Sequence, residues 1–215
     1  MDSKKICFII CTNNEQYLNE AVYYINRLNI PEGYSIDLLT VAEALSMTSG
    51  YNEAMNASDA KYKIYMHQDV MIIEPDFLYH ILDIFKEPDI GMLGIIGYPE
   101  ITENCIIWEG ESVGKLYSNS IYDTLTRASD DTSKYTDVKA IDGLLMATQY
   151  DIPWREDLFK KWDFYDVSQS FEFRNAGYRI VVPNPAKPWC IHDDGLLNLK
   201  NYYEARRIFK KEYIK

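Results

Sequence analysis

Three times within the first 97 residues, a short apolar run rich in β-forming side chains gives way to a stretch with apolar residues at helical spacing. The first run, Lys5–Cys11 (KICFIIC), is closed by the polar breakers Thr12, Asn13 and Asn14. So short and continuous an apolar run suits a strand covered on both faces. The segment from Glu15 to Leu28 then puts Leu18, Val22, Ile25 and Leu28 on one stripe, which predicts a helix. Tyr34–Val41 repeats the strand signal and Met47–Asp59 the helical one. Lys63–Val70 (KIYMHQDV) reads as a third strand, and Phe77–Phe85, with Leu78, Ile81, Leu82 and Phe85 at helical spacing, as a third helix. Alternation of this kind is met by parallel strands joined by crossover helices, which cover both faces of one sheet.

Ile90–Gly97 (IGMLGIIG) reads as a glycine-interrupted strand, and beyond it the pattern loosens. Residues 98–137 are polar and irregular and predict strands and loops at one rim. Val138–Thr148 predicts a strand, a glycine turn and a return. Phe164–Gly177 reads as a helix ended by glycine, Tyr178–Val182 and Cys190–His192 as strands, and Asn201–Ile214 as a terminal helix. The expectation is an α/β fold with a mixed, mostly parallel central sheet flanked by helices. A chain of 215 residues, 47% apolar, can bury roughly 70% of its unfolded surface in one core. It therefore reads as a single domain over 1–215, with a first half at 1–97 and a second at 98–215.

A net charge of −11 argues against a nucleic-acid partner, whose phosphates are bound by Lys and Arg. The charge is uneven: Lys200–Lys215 holds six basic and two acidic residues. That basic terminal helix suits peripheral contact with an anionic membrane, and equally a solvated helix end that complements its own dipole. Four cysteines without CxxC spacing suit reduced thiols, and no apolar run approaches a signal-peptide core or the ~20 residues of a membrane span. A cytoplasmic location is expected.

Ligands of open α/β sheets collect at the carboxyl ends of the strands. Three polar clusters fall at such ends: Thr12 and Asn13 after the first strand, His67–Gln68–Asp69 at the third, and His192–Asp193–Asp194 near the last. If His67 and Asp69 share a strand, their side chains point the same way and suit a divalent metal. A satisfied core histidine beside a turn-capping aspartate fits the spacing equally well. His192 with two aspartates also has ligand chemistry, though a surface loop has the same composition. Asp166, at the start of a helix, suits either an N-terminal carboxylate or a general base facing a crevice.

In order and spacing these pieces resemble glycosyltransferase family 2 and related GT-A enzymes, over nearly the whole chain. The segments are the opening strand with CTNNEQYL, SGYNEAMNASDAKYKIYMHQDV, IDGLLMAT, DFYDVSQSFEFRNAGYRIVV and WCIHDDG. The resemblance implies a transferase that moves a sugar from a nucleoside-diphosphate sugar, a UDP-sugar by analogy, to a glycan or protein acceptor. It implies that Thr12, Asn13, Glu15, Asn52, His67 and Gln68 lie along the donor. Asp69 and His192 would hold a divalent metal, Mn²⁺ or Mg²⁺. Asp166 would be the general base of an inverting transfer, and Asp142 and Gly143 would lie on the acceptor side. Trp108 suits a stacking platform for the acceptor, or an aromatic packed beneath a loop. One departure stands out: His67 occupies the first position of the family's Asp-x-Asp motif. A metal-dependent nucleotide-sugar hydrolase and an inactive nucleotide-sugar-binding module are the competing readings.

Overall fold

Strand β1 (Asp2–Thr12) shows why the opening run folds as it does. Its side chains alternate between two cores. Ile6, Phe8 and Ile10 enter one apolar cluster, while Cys7, Ile9 and Cys11 enter another on the opposite face, with all six buried. Covered on both sides, the strand has no polar face to show, and its continuous apolarity follows.

The computed structural model describes residues 1–118, 123–127, 133–195 and 198–214. After β1 come α1 (Glu15–Ile25), β2 (Ser35–Ala42), α2 (Met47–Ala57), β3 (Ala60–His67), β4 (Val70–Ile72) and α3 (Phe77–Ile84). Then follow β5 (Ile90–Gly94), β6 (Ile96–Tyr98), a 3-10 turn at Ile107–Glu109, β7 (Val113–Ser118) and β8 (Asp123–Arg127). The remainder comprises β9 (Tyr135–Val138), β10 (Ala140–Ile141), β11 (Leu145–Thr148), α4 (Tyr165–Asn175), β12 (Arg179–Pro183), β13 (Cys190–His192) and α5 (Tyr202–Tyr213).

Seven strands form the main sheet, in the order β2-β1-β3-β11-β5-β12-β9. Five of them run in one direction, while β11 is inserted antiparallel between β3 and β5 and β9 lies antiparallel at the edge. The sheet is thus mixed and mostly parallel. A second sheet, β10-β6-β7-β13-β4 with β8 against β7, closes over one side.

Two expected strands are broken in ways that build the site. Lys63–Val70 is not one strand: β3 stops at His67, Gln68 and Asp69 form a turn, and Val70 opens β4 in the second sheet. Ile90–Gly97 likewise divides at Ile95 into β5 in the main sheet and β6 in the second. Helix α4 is followed by Gly177 at φ +90°, a left-handed position that glycine occupies without steric cost. The segment expected to be irregular contains β7 and β8; its residues 119–122 and 128–132, like Lys215 of the basic tail, lie outside the described residues.

Candidate active site

The turn at Gln68–Asp69 sets the centre of the site. The backbone N–H of His67 donates to Leu144 O at 2.9 Å, and Asp193 N–H donates to Asp69 O at 2.9 Å. The antiparallel pairing of β13 with β4 sets His192 opposite Val70, and so beside Asp69. Asp69 Oδ1 then lies 3.9 Å from His67 Nδ1 and 3.4 Å from His192 Nε2. One ligand atom from each residue falls within a 4.8 Å span. His67 and Asp69 therefore meet through a turn, not through the shared strand face expected from their spacing.

Burial lowers the pKa of His67, and the neighbouring His192 lowers it further, so its imidazole is held neutral. Burial would lower His192 as well, but contact with Asp69 outweighs it and the value is raised. Burial opposes ionisation of Asp69, yet its contact with His192 outweighs it and holds the pKa below the ordinary value. Asp69 Oδ1 is shielded from solvent and has no hydrogen-bond partner among the described residues. A shielded carboxylate oxygen so placed, between two imidazoles, matches the donor set of a divalent cation.

Two clefts meet at this cluster. The smaller, of about 480 Å³, is lined by Thr12, Asn13, Glu43, Met47, Gln68 and others. The larger, of about 540 Å³, is lined by Trp108, Asp142, Tyr165, Asp166, His192 and Tyr202 among others. His67, Asp69 and Trp162 line both.

Gln68 holds the smaller cleft in shape. Its Oε1 accepts from Thr12 Oγ1 at 2.8 Å and from the N–H groups of Asn13 and Asn14 at 3.0 Å each, and its Nε2 donates to Asn13 Oδ1 at 2.7 Å. Asn14, next in sequence, caps α1 by accepting from Gln16 and Tyr17 N–H. Glu15 is exposed on α1 and lines neither cleft. Asn52 is also away from both: its amide exchanges hydrogen bonds with the backbone of Trp154 at 2.8 and 3.0 Å.

In the larger cleft, Asp166 sits in the first turn of α4, where its Oδ1 and Oδ2 accept from Val167 and Gly143 N–H, both at 2.8 Å. Burial and the adjacent Asp142 push its pKa up to about 7. That value suits a group that takes up a proton near neutrality. The residue before α4, Phe164, has φ +63°, a left-handed conformation that a bulky side chain rarely adopts. Gly143 lies behind the cleft wall; a Cβ there would stand 2.0 Å from Tyr165 Oη. Trp108 is 46% exposed at the cleft and packs on Tyr202 at 4.6 Å between centroids.

Two contributors escaped the sequence reading. Trp162, 47% exposed at the junction of the clefts, was signalled only by an aromatic standing among Lys160, Lys161 and Asp163. Tyr165, buried and bonded to His67 Nε2 at 2.5 Å, had no signal in spacing at all.

A large mixed, mostly parallel sheet flanked by helices, with clefts at its strand ends, is the architecture of the GT-A class. A sequence profile described as a glycosyltransferase-like family matches residues 7–213, and the chain belongs to that family. No curated protein sequence matches it. Among solved structures, it is similar to the mannosyltransferase PcManGT from Pyrobaculum calidifontis, solved with GDP-Man and Mn²⁺. That match has a TM-score of 0.57 at 14% identity and covers 94% of this chain and 60% of the other. It is also similar to residues 1–349 of TarS from S. aureus, with a TM-score of 0.60 at 13% identity, covering 97% of this chain and 65% of that one. The same fragment in complex with UDP-GlcNAc gives 0.58 at 10% identity, covering 97% and 66%. The GT-A fold is thus shared, while this chain spans less than two thirds of the length of these neighbours. Among the described residues no helix is long and apolar enough to cross a membrane.

Proposed function

We propose that this chain is an inverting glycosyltransferase that moves a sugar from a nucleoside-diphosphate donor to an acceptor hydroxyl. The observation that carries the reading is Asp166: a carboxylate with its pKa near 7, facing a cleft that opens onto the His67–Asp69–His192 cluster. In this reading residues 1–97 build most of the donor cleft, and 98–215 supply the acceptor cleft and the base. Thr12, Asn13 and Gln68 line the nucleotide's path, and His67, Asp69 and His192 face its diphosphate. A divalent cation held by these three would, when bound, neutralise charge on the departing diphosphate.

Asp166 takes the proton from the acceptor hydroxyl as that oxygen attacks the anomeric carbon from the side opposite the leaving group. The two N–H groups on its carboxylate keep it aimed into the cleft while it is ionised. Asp142, beside it, raises its basicity. Trp162 and Trp108 offer exposed rings for sugars to stack against, at the junction and in the acceptor cleft. Glu15 and Asn52, both outside the clefts, have no direct contact in this scheme.

The neighbours' ligands, GDP-Man in one and UDP-GlcNAc in the other, support a nucleotide-sugar donor without choosing its base. A glycan or protein acceptor fits a cleft of this size and aromatic lining. Four free, buried cysteines support a reducing compartment, and we place the chain in the cytoplasm. Helix α5 turns Tyr202, Ala205 and Phe209 into the protein and leaves Tyr203, Arg207, Lys210 and Lys211 exposed, so a peripheral membrane contact would rest mainly on charge.

Calorimetric titration with UDP, GDP and dTDP, each with and without Mn²⁺, tests the donor site. Binding of one of them, followed by transfer from the matching sugar donor with inverted anomeric configuration, is the expected result. Failure of all three to bind would sink the reading. Metal-dependent release of nucleotide with no acceptor present would indicate a hydrolase instead.

A further inference from the structure

Tyr165 is adjacent to Asp166 in sequence but points elsewhere. Its ring is buried and its hydroxyl ends 2.5 Å from His67 Nε2. The approach is possible because position 143 has no side chain: a Cβ there would lie 2.0 Å from the Tyr165 oxygen and 2.5 Å from its ring carbon. The backbone N–H of the same Gly143 is held by Asp166. One glycine thus lets α4 place a phenol against the imidazole and a carboxylate in the cleft.

With Nε2 engaged by Tyr165, the only ring nitrogen of His67 left to face the cluster is Nδ1, the atom that looks toward Asp69. A ring proton on Nδ1 would point at the space between Asp69 and His192; a proton on Nε2, donated to the Tyr165 oxygen, leaves the Nδ1 lone pair free. Once a cation takes the Nδ1 lone pair, the ring proton must sit on Nε2, where the Tyr165 oxygen accepts it, the outer-shell role that orients a ligating imidazole. We infer that Tyr165 is a positioning residue that makes His67 a cation ligand through Nδ1, and that the resulting two-imidazole, one-carboxylate set selects first-row transition ions over Mg²⁺. Imidazole is a good ligand for such ions, whereas Mg²⁺ favours carboxylate, carbonyl and water oxygens. The inference rests on the cation role proposed above for His67, Asp69 and His192.

The test is titration of the whole chain with MnCl₂, CoCl₂ and MgCl₂, without nucleotide and again with saturating UDP. Free Mn²⁺ is read by its paramagnetic resonance signal and the other ions by calorimetry, with a melting temperature for each variant. Wild type is expected to bind Mn²⁺ and Co²⁺ at least about ten-fold tighter than Mg²⁺. Tyr165→Phe, which keeps the ring, should weaken Mn²⁺ by roughly 10- to 100-fold with little effect on Mg²⁺. His67→Asp should bring the Mn²⁺ and Mg²⁺ affinities together. Equal binding of Mn²⁺ and Mg²⁺ by wild type, no binding of any ion with or without UDP, or unchanged Mn²⁺ affinity in a folded Tyr165→Phe would each overturn the inference. If Tyr165→Phe does not fold, the wild-type ratio and His67→Asp still decide. Sugar transfer that runs equally well on Mg²⁺ would fail this inference and leave the transferase standing; selective ion binding without transfer would do the reverse.

Discussion

Asp166 Oδ2 accepts a 2.8 Å hydrogen bond from the backbone N–H of Gly143, which ties the first turn of α4 to the turn carrying Asp142. That bond, and the one from Val167 N–H, favour the ionised carboxylate; burial and the charge of Asp142 oppose it and prevail, and the pKa rises to about 7. A general base must be ionised to act, so the transfer rate should climb with pH, with a midpoint near 7 and a plateau above. Asp166→Asn should lose transfer by at least about 100-fold while binding nucleoside diphosphate normally. A flat rate between pH 6 and 8, or full activity in the variant, would remove Asp166 from the chemistry.

The same shift bears on stability. The folded pKa of Asp166 lies above its unfolded value, so the folded chain holds that proton more tightly. The stabilisation is complete below about pH 4 and is lost as pH rises through about 7. At pH 8 the wild type carries a half-buried charge that Asp166→Asn lacks. The variant should then be the more stable by about 1–3 kcal/mol, reduced because an amide can keep only one of the two N–H bonds. Denaturant melts should show the variant's advantage growing from pH 5 to pH 8; an equal difference at both would mean the carboxylate does not titrate as described.

The clusters at the ends of β1, β3 and β13 were legible because they interrupt apolar runs at strand ends, where ligands gather in this class of sheet. What joins them was not. The insertion of β11 between β3 and β5 pairs Met146 with Tyr65 and with Gly94, residues more than fifty positions away. No local pattern encodes such a pairing. The break at Ile95 was hidden because β5 and β6 are both apolar and adjacent, although they serve different sheets. The glycines there mark close packing: a Cβ at Gly94 would strike Ile141 at 2.7 Å and one at Gly97 would strike Val182 at 2.6 Å. Tyr165 and Trp162 escaped for a related reason, since an aromatic residue looks the same in sequence whether it packs, braces or faces a cleft. Asn52 shows the converse: a polar residue in the right segment, spent on the backbone of Trp154.

Gln68 should matter more for shape than for stability. Its carbonyl oxygen gathers Thr12, Asn13 and Asn14 at the mouth of the smaller cleft. Gln68→Ala removes the acceptor for two backbone N–H groups that water can reach, so the loss should be about 1 kcal/mol. Nucleoside-diphosphate affinity should fall about ten-fold as the loop loosens. Gln68→Glu keeps the acceptor and should retain the fold while placing a new charge beside the donor. An Ala variant with unchanged nucleotide affinity would separate this loop from the donor site.

Trp162 separates packing from function, because it is 47% exposed and yet lines both clefts. Trp162→Ala should leave the melting temperature within about 2 °C, since exposed positions contribute little to the core. Transfer should suffer: kcat/KM for donor or acceptor is expected to fall by roughly ten-fold, and Trp162→Phe should recover part of it by keeping an aromatic face. If kcat/KM is unchanged in the Ala variant, the ring has no part in holding either sugar.

Lys63 provides the opposite case, a charge with no part in the site but a large one in the fold. Its side chain is fully buried in β3, and its Nζ donates to Asp151 Oδ1 and Oδ2 at 2.7 and 2.9 Å and to Ala60 O at 2.7 Å. Three acceptors satisfy the ammonium, and removing the carboxylate strands it. Asp151→Ala should therefore destabilise the chain by about 3–5 kcal/mol, the cost typical of an uncompensated buried charge. Lys63→Met together with Asp151→Ala deletes both charges and should recover most of that loss, because an apolar chain of similar length fills the same space. Urea melts of the single and double variants decide the matter. If the double variant is no more stable than Asp151→Ala alone, the penalty came from lost packing around Asp151 and not from a stranded charge.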